Sequence, residues 1–444
     1  MISRQPHRGS RQVVVTGMGV IGPLGNTLDE LWDALISGQS GVGPLTSIPA
    51  DDLPVRFAAE ASGFTGKIDD FGPLDGEQKK AIRKGLKVMC RECQMGVAVA
   101  QLALGDARIT PGTVDPMRIG INFGVDYMLS IPEEFIEGIR ASMNDDGRFE
   151  FAHWPTDGLP RMSPLWLLKY LPNMPASHLA IYNDFRGPNN SITLREASAN
   201  MALGEAFRMI TEGRADRMLV GATGTRLHSM KLIHCIQQAE LASNDAIPAE
   251  ASRPFDRDRT GMVLGEGAGA VVLEERTAAE ARGATILAEV VGSASATAVG
   301  ANLIARPRQA LKNVLDAALD DARLNVEQIG HIHAHGLATK TSDVEEARAI
   351  ADVFGSRKTP VPVVAAKGHT GNLGAGSGMI ELIASVLALR NDRLFATLNH
   401  ETPDPACPIN VAAGGGGASG DSFINLSITP QGQASAVVVQ RFAE

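Results

Sequence analysis

Two spacings of apolar residues alternate along the chain. Compact runs of β-branched and small residues at 12–17 (QVVVTG), 118–124 (RIGINFG), 217–221 (RMLVG), 270–273, 285–291, 329–335 and 363–366 predict buried strands, and 423–428 predicts the last one. Helical spacing follows several of these runs. One helix starts after Thr27 with a capping box to Glu30, buries Leu28, Leu31, Trp32, Leu35 and Ile36 on one face, and stops at Gly38. Residues 308–322 predict an amphipathic helix, and 376–390 one that is apolar nearly all round. At Ser191 to Leu194 the chain alternates as a short strand, then continues through Ala197, Ala199, Met201, Ala202, Gly204 and Ala206 as a buried helix. This passage is an elbow, and Glu196 stands on it. A side chain there sits at the amino end of a helix, where unpaired N–H groups and the helix dipole favour negative charge and activate nucleophiles. In an isolated helix the same residue reads as an ordinary first-turn carboxylate.

The second half of the chain repeats the order of the first. Residues 274–283 read as a short charged linker, dividing 1–275 from 276–444. Two βαβ-rich copies, each with a helix that must be covered on every side, predict an α/β architecture in which those helices are sandwiched between two sheets. The segment 127–165, with Asn144, Asp145, Asp146, Gly147 and several prolines, predicts a surface excursion over a site mouth or a subunit contact. The glycines of MGVIGPLGN do not make GxGxxG, and no acidic residue closes a second strand at the required distance, so a dinucleotide site is rejected.

Composition narrows the function classes. The 444 residues carry a net charge of −9, which argues against nucleic acid as the main partner. Against that background Lys79, Lys80, Arg83, Lys84, Lys87 and Arg91 fall at helical spacings within 77–91, either a solvated face or a docking stripe for an acidic partner. Four cysteines make no disulfide framework and suit a reducing compartment; Cys90 and Cys93 are a lone CxxC, read as two thiols one helical turn apart. Arg4, Arg8 and Arg11 occur without an apolar segment, so the amino end reads as neither signal nor anchor, and no apolar run spans a bilayer. A cytoplasmic protein without membrane segments is expected.

Three polar loops leave buried elements. The first holds Glu196. In the second, HIHAHGLATKTSDVEEA, His331, His333 and His335 alternate on one strand face before Gly336. The third, AAKGHTGNLGAGSGMIELI, sets Lys367, His369 and Asn372 ahead of the apolar helix that contains Glu381. All lie at carboxyl ends of strands, where α/β folds gather their sites. The histidine triplet also admits a zinc site, the minor alternative, because alternate strand residues can converge on one ion.

The segments VVVTGMGVIGPLGN, RPFDRDRTGMVLGEGAGAVVLEE, HAHGLATKTSD and KGHTGNLGAGSGMIE resemble the signatures of the β-ketoacyl-[acyl carrier protein] synthases, including the ketosynthase and chain-length-factor subunits of type II polyketide systems. The likeness runs in order from Gln12 to about Ile428. It implies the thiolase fold, two pseudo-repeated halves forming a five-layered α-β-α-β-α sandwich. It also implies an acyl carrier protein as partner, whose phosphopantetheine arm carries the substrate with no other cofactor, and a dimer, either homodimer or heterodimer with an active ketosynthase. In the family a cysteine at the elbow takes the acyl chain, and two histidines assist decarboxylation and stabilise enolate and oxyanion. By resemblance the cysteine position is Glu196, the first histidine His335, the lysine Lys367, the second histidine Asn372 and the supporting glutamate Glu381. The pair that holds the arm is Leu337 and Thr339, the gating phenylalanine falls at Gly415, and the basic stripe 79–91 corresponds to a carrier-docking face.

These departures carry the functional expectation. A carboxylate is a poor acyl carrier, because a mixed anhydride hydrolyses far faster than a thioester, and none of the four cysteines lies near the elbow. A subunit that cannot elongate alone is expected. The alternative is an enzyme using Glu196, His335 and Lys367 for decarboxylation, proton transfer or hydrolysis of a thioester. The elbow's helix terminus supports a charged Glu196 while burial opposes it, which leaves its protonation state open.

Overall fold

The computed structural model describes residues 11–49 and 53–443, so Arg4 and Arg8 lie outside the described residues. The first half contains β1 (Val13–Ile21), α1 (Leu28–Ile36), the short pair β2 (Val42–Pro44) and β3 (Phe57–Ala59), α2 (Gly76–Gly85), α3 (Arg91–Asp106) and β4 (Ile119–Val125). It continues with α4 (Ile136–Ala141), α5 (Met174–Asn183), β5 (Asn189–Thr193), α6 (Ser198–Thr211), β6 (Arg217–Thr225), α7 (Ser229–Gln238) and β7 (Glu266–Glu275). Then follow α8 (Arg276–Ala281), β8 (Ala288–Thr297), α9 (Pro307–Ala322), β9 (His331–His333), α10 (Ser342–Phe354), β10 (Pro362–Val364) and α11 (Lys367–Thr370). The last elements are α12 (Ser377–Asn391), β11 (Asn410–Val411), β12 (Ser422–Ile428) and β13 (Gln433–Gln440).

All strands except β2 and β3 join one eleven-stranded sheet in the order β11-β10-β9-β12-β13-β8-β1-β7-β6-β4-β5. Its two parts have the same topology. In chain order within each part, the strands β5-β4-β6-β7-β1 and β10-β9-β12-β13-β8 both read 3-2-4-5-1. In each the first three strands are parallel and the next two antiparallel. The two parts of the sheet join where Val13–Val15 pair with Ala288–Val290.

Helices α6 and α12 touch each other and strands of both parts, α3 and α5 cover one outer face, and α9 with α10 covers the other. The chain thus adopts the five-layered thiolase sandwich. Every residue of α12 from Ser377 to Leu389 is buried, as a helix without a polar face requires. Three apolar cores fill the gaps between layers, the central one joining Leu203 and Phe207 of α6 to Ile383 and Val386 of α12. A polar pin crosses the central layer, where Asn425 donates to Asn200 Oδ1 and to the Gly378 carbonyl, both at 2.8 Å. Close packing there depends on glycine, since a Cβ at Gly376 would stand 2.1 Å from the Gly267 carbonyl.

The capping box at Thr27 and Glu30 and the stop at Gly38, with φ of 70°, form as the sequence predicts. Several expectations need correction. Strand β1 runs four residues beyond Gly17, because Gly17 and Gly19 let α3 lie directly against it. Residues 274–283 are no linker. Glu274 is fully buried, accepting from Thr16 Oγ1 at 2.6 Å, Arg217 Nε at 2.7 Å and Arg282 Nε at 3.0 Å, and the rest is mostly α8. The basic run 77–91 is not one helix, since α2 ends at Gly85 and α3 restarts at Arg91. Strand β13 follows the run predicted as last, and β8 starts at Ala288, three residues late. The excursion 127–165 consists of α4 and single helical turns, with Ile136, Ile139, Phe149, Phe151 and Leu159 exposed.

Candidate active site

The elbow is built by β5, a helical turn over Arg195–Ala197, and α6. Arg195 takes a positive φ of 49° at the bend, a conformation that costs an L-residue about 1–3 kcal/mol. Ser198 holds it, donating to the Val125 carbonyl at 3.0 Å while its oxygen accepts from Leu194 N–H at 2.8 Å. Glu196 on this bend is 2% exposed.

Its surroundings settle its charge. Arg226, at the end of β6 and 1% exposed, donates from Nη2 to Glu196 Oε1 at 2.5 Å and ion-pairs with Asp126 at 2.9 Å through Nη1. Asn372 donates to the same Oε1 at 3.2 Å, and Arg195 Nε lies 3.4 Å from Oε2. Burial pushes the carboxyl up, but the attraction of Arg226 and then Arg195 prevails and holds it far below its ordinary 4.5. Glu196 is therefore an anion with a buried counter-ion.

His335 stands across from it. Lys367 Nζ donates to the His335 carbonyl at 2.7 Å and lies 3.3 Å from its Nδ1, and it also contacts Glu381 Oε1. With Nδ1 facing an ammonium, the neutral ring carries its proton on Nε2. Burial first, then the Lys367 charge, drives the His335 pKa well below 6.5. Burial raises the Glu381 carboxyl and Lys367 opposes it, with a net upward shift. Below, Glu346 accepts from the His335 and Gly336 N–H groups at 2.6 and 2.8 Å. Burial lifts Glu346 to about 8 and the adjacent Asp343 to about 6.

A cavity of about 410 Å³ is lined by Glu196, His335, Asn372, Leu337 and Thr339, all expected from the sequence. Lys367 and Glu381 are buried behind His335. Gly415 does not line this cavity; it is exposed and packs beside Ala396. The basic stripe divides: Lys80, Arg83, Lys84 and Lys87 are exposed and Lys79 half-buried, whereas Arg91 is committed to Glu266, with Nε at 2.9 Å. The histidine triplet does not converge. His331 Nδ1 meets the Ser419 carbonyl at 2.8 Å, His333 Nδ1 meets Ser385 Oγ at 2.8 Å, and the described residues contain no cluster of three metal-ligating side chains. His369 spends both ring nitrogens on the Gln39 and Ala396 carbonyls, at 2.8 and 2.9 Å.

Sequence reasoning missed three neighbours of the elbow. Arg226 and Asp126 end strands β6 and β4, and no local pattern marks them. Cys235, placed far from the elbow by its number, lines the same cavity from α7. That overturns the expectation that none of the four cysteines lies near the elbow.

Comparison with known proteins follows the same lines. Models of the beta-ketoacyl synthase N-terminal and C-terminal domains match residues 10–279 and 287–401. A 3-oxoacyl-[acyl-carrier-protein] synthase 2 of Synechocystis is 34% identical over 405 residues, 91% of each chain. The ishigamide ketosynthase/chain length factor aligns over 98% of this chain and 100% of its own, with a TM-score of 0.81 and 27% identity. A type II polyketide ketosynthase, solved in complex with its acyl-carrier protein and bound to a hexaketide, covers the same shares at a TM-score of 0.77 and 25% identity. Two family models in register over the repeated sandwich, and a curated relative matched nearly end to end, place this chain in the β-ketoacyl synthase family.

Proposed function

We propose that this chain is a ketosynthase homologue of fatty-acid or polyketide synthesis that does not elongate by itself. It acts as a chain-length-factor-like partner of an active ketosynthase, or as a subunit that binds the acyl carrier protein. The observation that carries this reading is the Glu196–Arg226 ion pair. A carboxylate at the position of the family's acyl-accepting thiol, held as an anion by a buried guanidinium, offers no stable ester to a growing chain. Its charge also repels the enolate that decarboxylation generates, and the Asn372 amide already donates to it instead of to an oxyanion.

The partners follow from the surface. Lys80, Arg83, Lys84 and Lys87 form an exposed basic face beside the half that carries the elbow, complementary to an acidic carrier domain. Strand β5 ends the sheet with one edge unpaired, and the exposed apolar residues of 131–168 need cover, which fits a second ketosynthase-type subunit. Among the described residues no helix is long and apolar enough to cross a membrane, and the four free thiols suit the cytoplasm. Coexpression with a ketosynthase of the same organism tests the reading: a stable heterodimer is expected, and persistent self-dimers alone overturn the pairing role.

One observation favours a second reading, decarboxylation of a malonyl thioester: Arg195 and His335 line the same cavity, where a guanidinium can hold a substrate carboxylate. Incubation with malonyl-carrier protein and mass spectrometry decides between the two. Intact substrate supports the non-elongating subunit, and acetyl-carrier protein supports the decarboxylase.

A further inference from the structure

The cavity stops at Glu196. Behind that carboxylate lie four more buried ionisable side chains, Arg226, Asp126, Lys231 and Glu92, each 5% exposed or less, and none of them lines the cavity. They stand in two ion-paired groups. Arg226 joins Glu196 Oε1 at 2.5 Å to Asp126 at 2.9 Å, and Lys231 Nζ donates to Glu92 Oε1 at 2.5 Å and to the Thr225 carbonyl at 3.2 Å. Lys231 also stands 5.1 Å from the ring centre of Tyr127, a wall residue of the cavity. The loop that carries Asn372 closes in from another side, since a Cβ on Gly374 would come within 3.3 Å of Arg226 Nε and 3.0 Å of Asp126 Oδ2.

Stability does not account for this arrangement. Val125 and Met128, on either side of Asp126 and Tyr127, belong to an apolar core, and apolar side chains of similar volume are often as stabilising as buried ion pairs, or more so. Nor is the network fully satisfied, because Arg226 Nε and Glu196 Oε2 make no hydrogen bond. What these groups supply is a polar end wall. An alkyl chain pressed against Arg226 offers its guanidinium no acceptor, and takes its space only by leaving Asp126 buried without a counter-ion.

We propose that Arg226, held by Asp126 and backed by the Lys231–Glu92 pair, is a specificity-determining residue that closes the elbow to unbranched apolar chains and leaves room for short polar groups alone. The proposal rests on the reading of this chain as a homologue that does not elongate by itself. It adds that the missing thiol is one of two barriers, so that a thiol returned to position 196 still has no place for an apolar chain.

The test uses the folded full-length chain with Glu196→Cys and Cys235→Ser, alkylated with iodoacetamide and separately with N-decyl iodoacetamide, the adduct being read on the peptide that contains position 196. The short reagent is expected to react about tenfold faster or more. Adding Arg226→Ala with Asp126→Ala brings the two rates together. Equal rates before that addition, an undiminished ratio after it, or no reaction with iodoacetamide overturns the proposal. Where the fourfold variant does not fold, as judged by circular dichroism, reagents with ethyl to decyl chains on the Glu196→Cys, Cys235→Ser protein carry the test: rates that fall with length are expected, and a flat series overturns the proposal. Incubation of the unaltered chain with acyl- and malonyl-carrier protein separates the two readings. A lengthened product there removes the non-elongating role, whereas ready decyl labelling without such a product removes only this proposal.

Discussion

Glu196 belongs to a buried charge network with Arg226 and Asp126, and its neighbours decide what it can do. Glu196→Ala leaves Arg226 with Asp126 alone, a loss of about 1–3 kcal/mol of stability, checked by urea unfolding. The pH dependence of stability separates two kinds of carboxylate here. Glu196 has its folded-state pKa below the ordinary 4.5, so the unfolded chain binds its proton more tightly. Its contribution is complete above pH 4.5 and is lost as pH falls further. Glu346 behaves oppositely, with its pKa raised from 4.5 to about 8. The folded protein keeps a proton that the unfolded chain has already released, so stability falls as pH rises from 4.5 toward 8. Glu346→Gln, which resembles the protonated acid, flattens that upper slope in melting curves taken across the window, and a slope unchanged in the variant refutes the assignment. The oddity of Glu196 at an elbow is visible in the sequence, whereas its charge is not. That charge depends on Arg226, thirty residues on by number, brought within 2.5 Å by β6 lying next to β4.

At the scale of elements, the basic run shows how one sequence pattern serves two ends. Periodicity places six cations on one helix, but Gly85 ends α2 and the chain turns before α3 begins. Four of the cations stay in solvent, and Arg91 turns inward to Glu266, which is 1% exposed. If the proposed docking role holds, Lys80→Glu with Lys84→Glu is expected to weaken carrier-protein binding and its salt dependence while unfolding stability stays within about 0.5 kcal/mol. Arg91→Ala strips a buried carboxylate of its main partner and costs about 1–3 kcal/mol. Calorimetric titration and urea unfolding on both variants check the contrast. The strands were legible as apolar runs and α12 as a helix without a polar face. Boundaries were not, since β1 continues through glycines that a local reading takes for a turn, and only the closeness of α3 explains them.

For the whole molecule, the repeated 3-2-4-5-1 topology places the elbow of the first half and the Lys367–Gly376 loop of the second on facing ends of one central layer. One cavity therefore draws Glu196 from one half and His335 and Asn372 from the other. The edge of β5, unpaired among the described residues, and the exposed apolar side chains of the 127–165 excursion predict an assembly larger than one chain. Ile139→Asp with Phe151→Asp is expected to weaken that association about tenfold or more in sedimentation experiments, with an unchanged circular dichroism spectrum. The sequence by itself determined the layered α/β class, the two-fold repetition and the identity of the side chains on each polar loop, because strand and helix periods and glycine-rich turns are local properties. Tertiary structure alone decided that Glu196 is an anion, that Arg91 is structural, that the three histidines have separate partners and that Cys235 shares the elbow's cavity. Each of these depends on distances across strands remote in sequence, and both Coulomb attraction and the cost of burial are fixed by distance in space rather than along the chain.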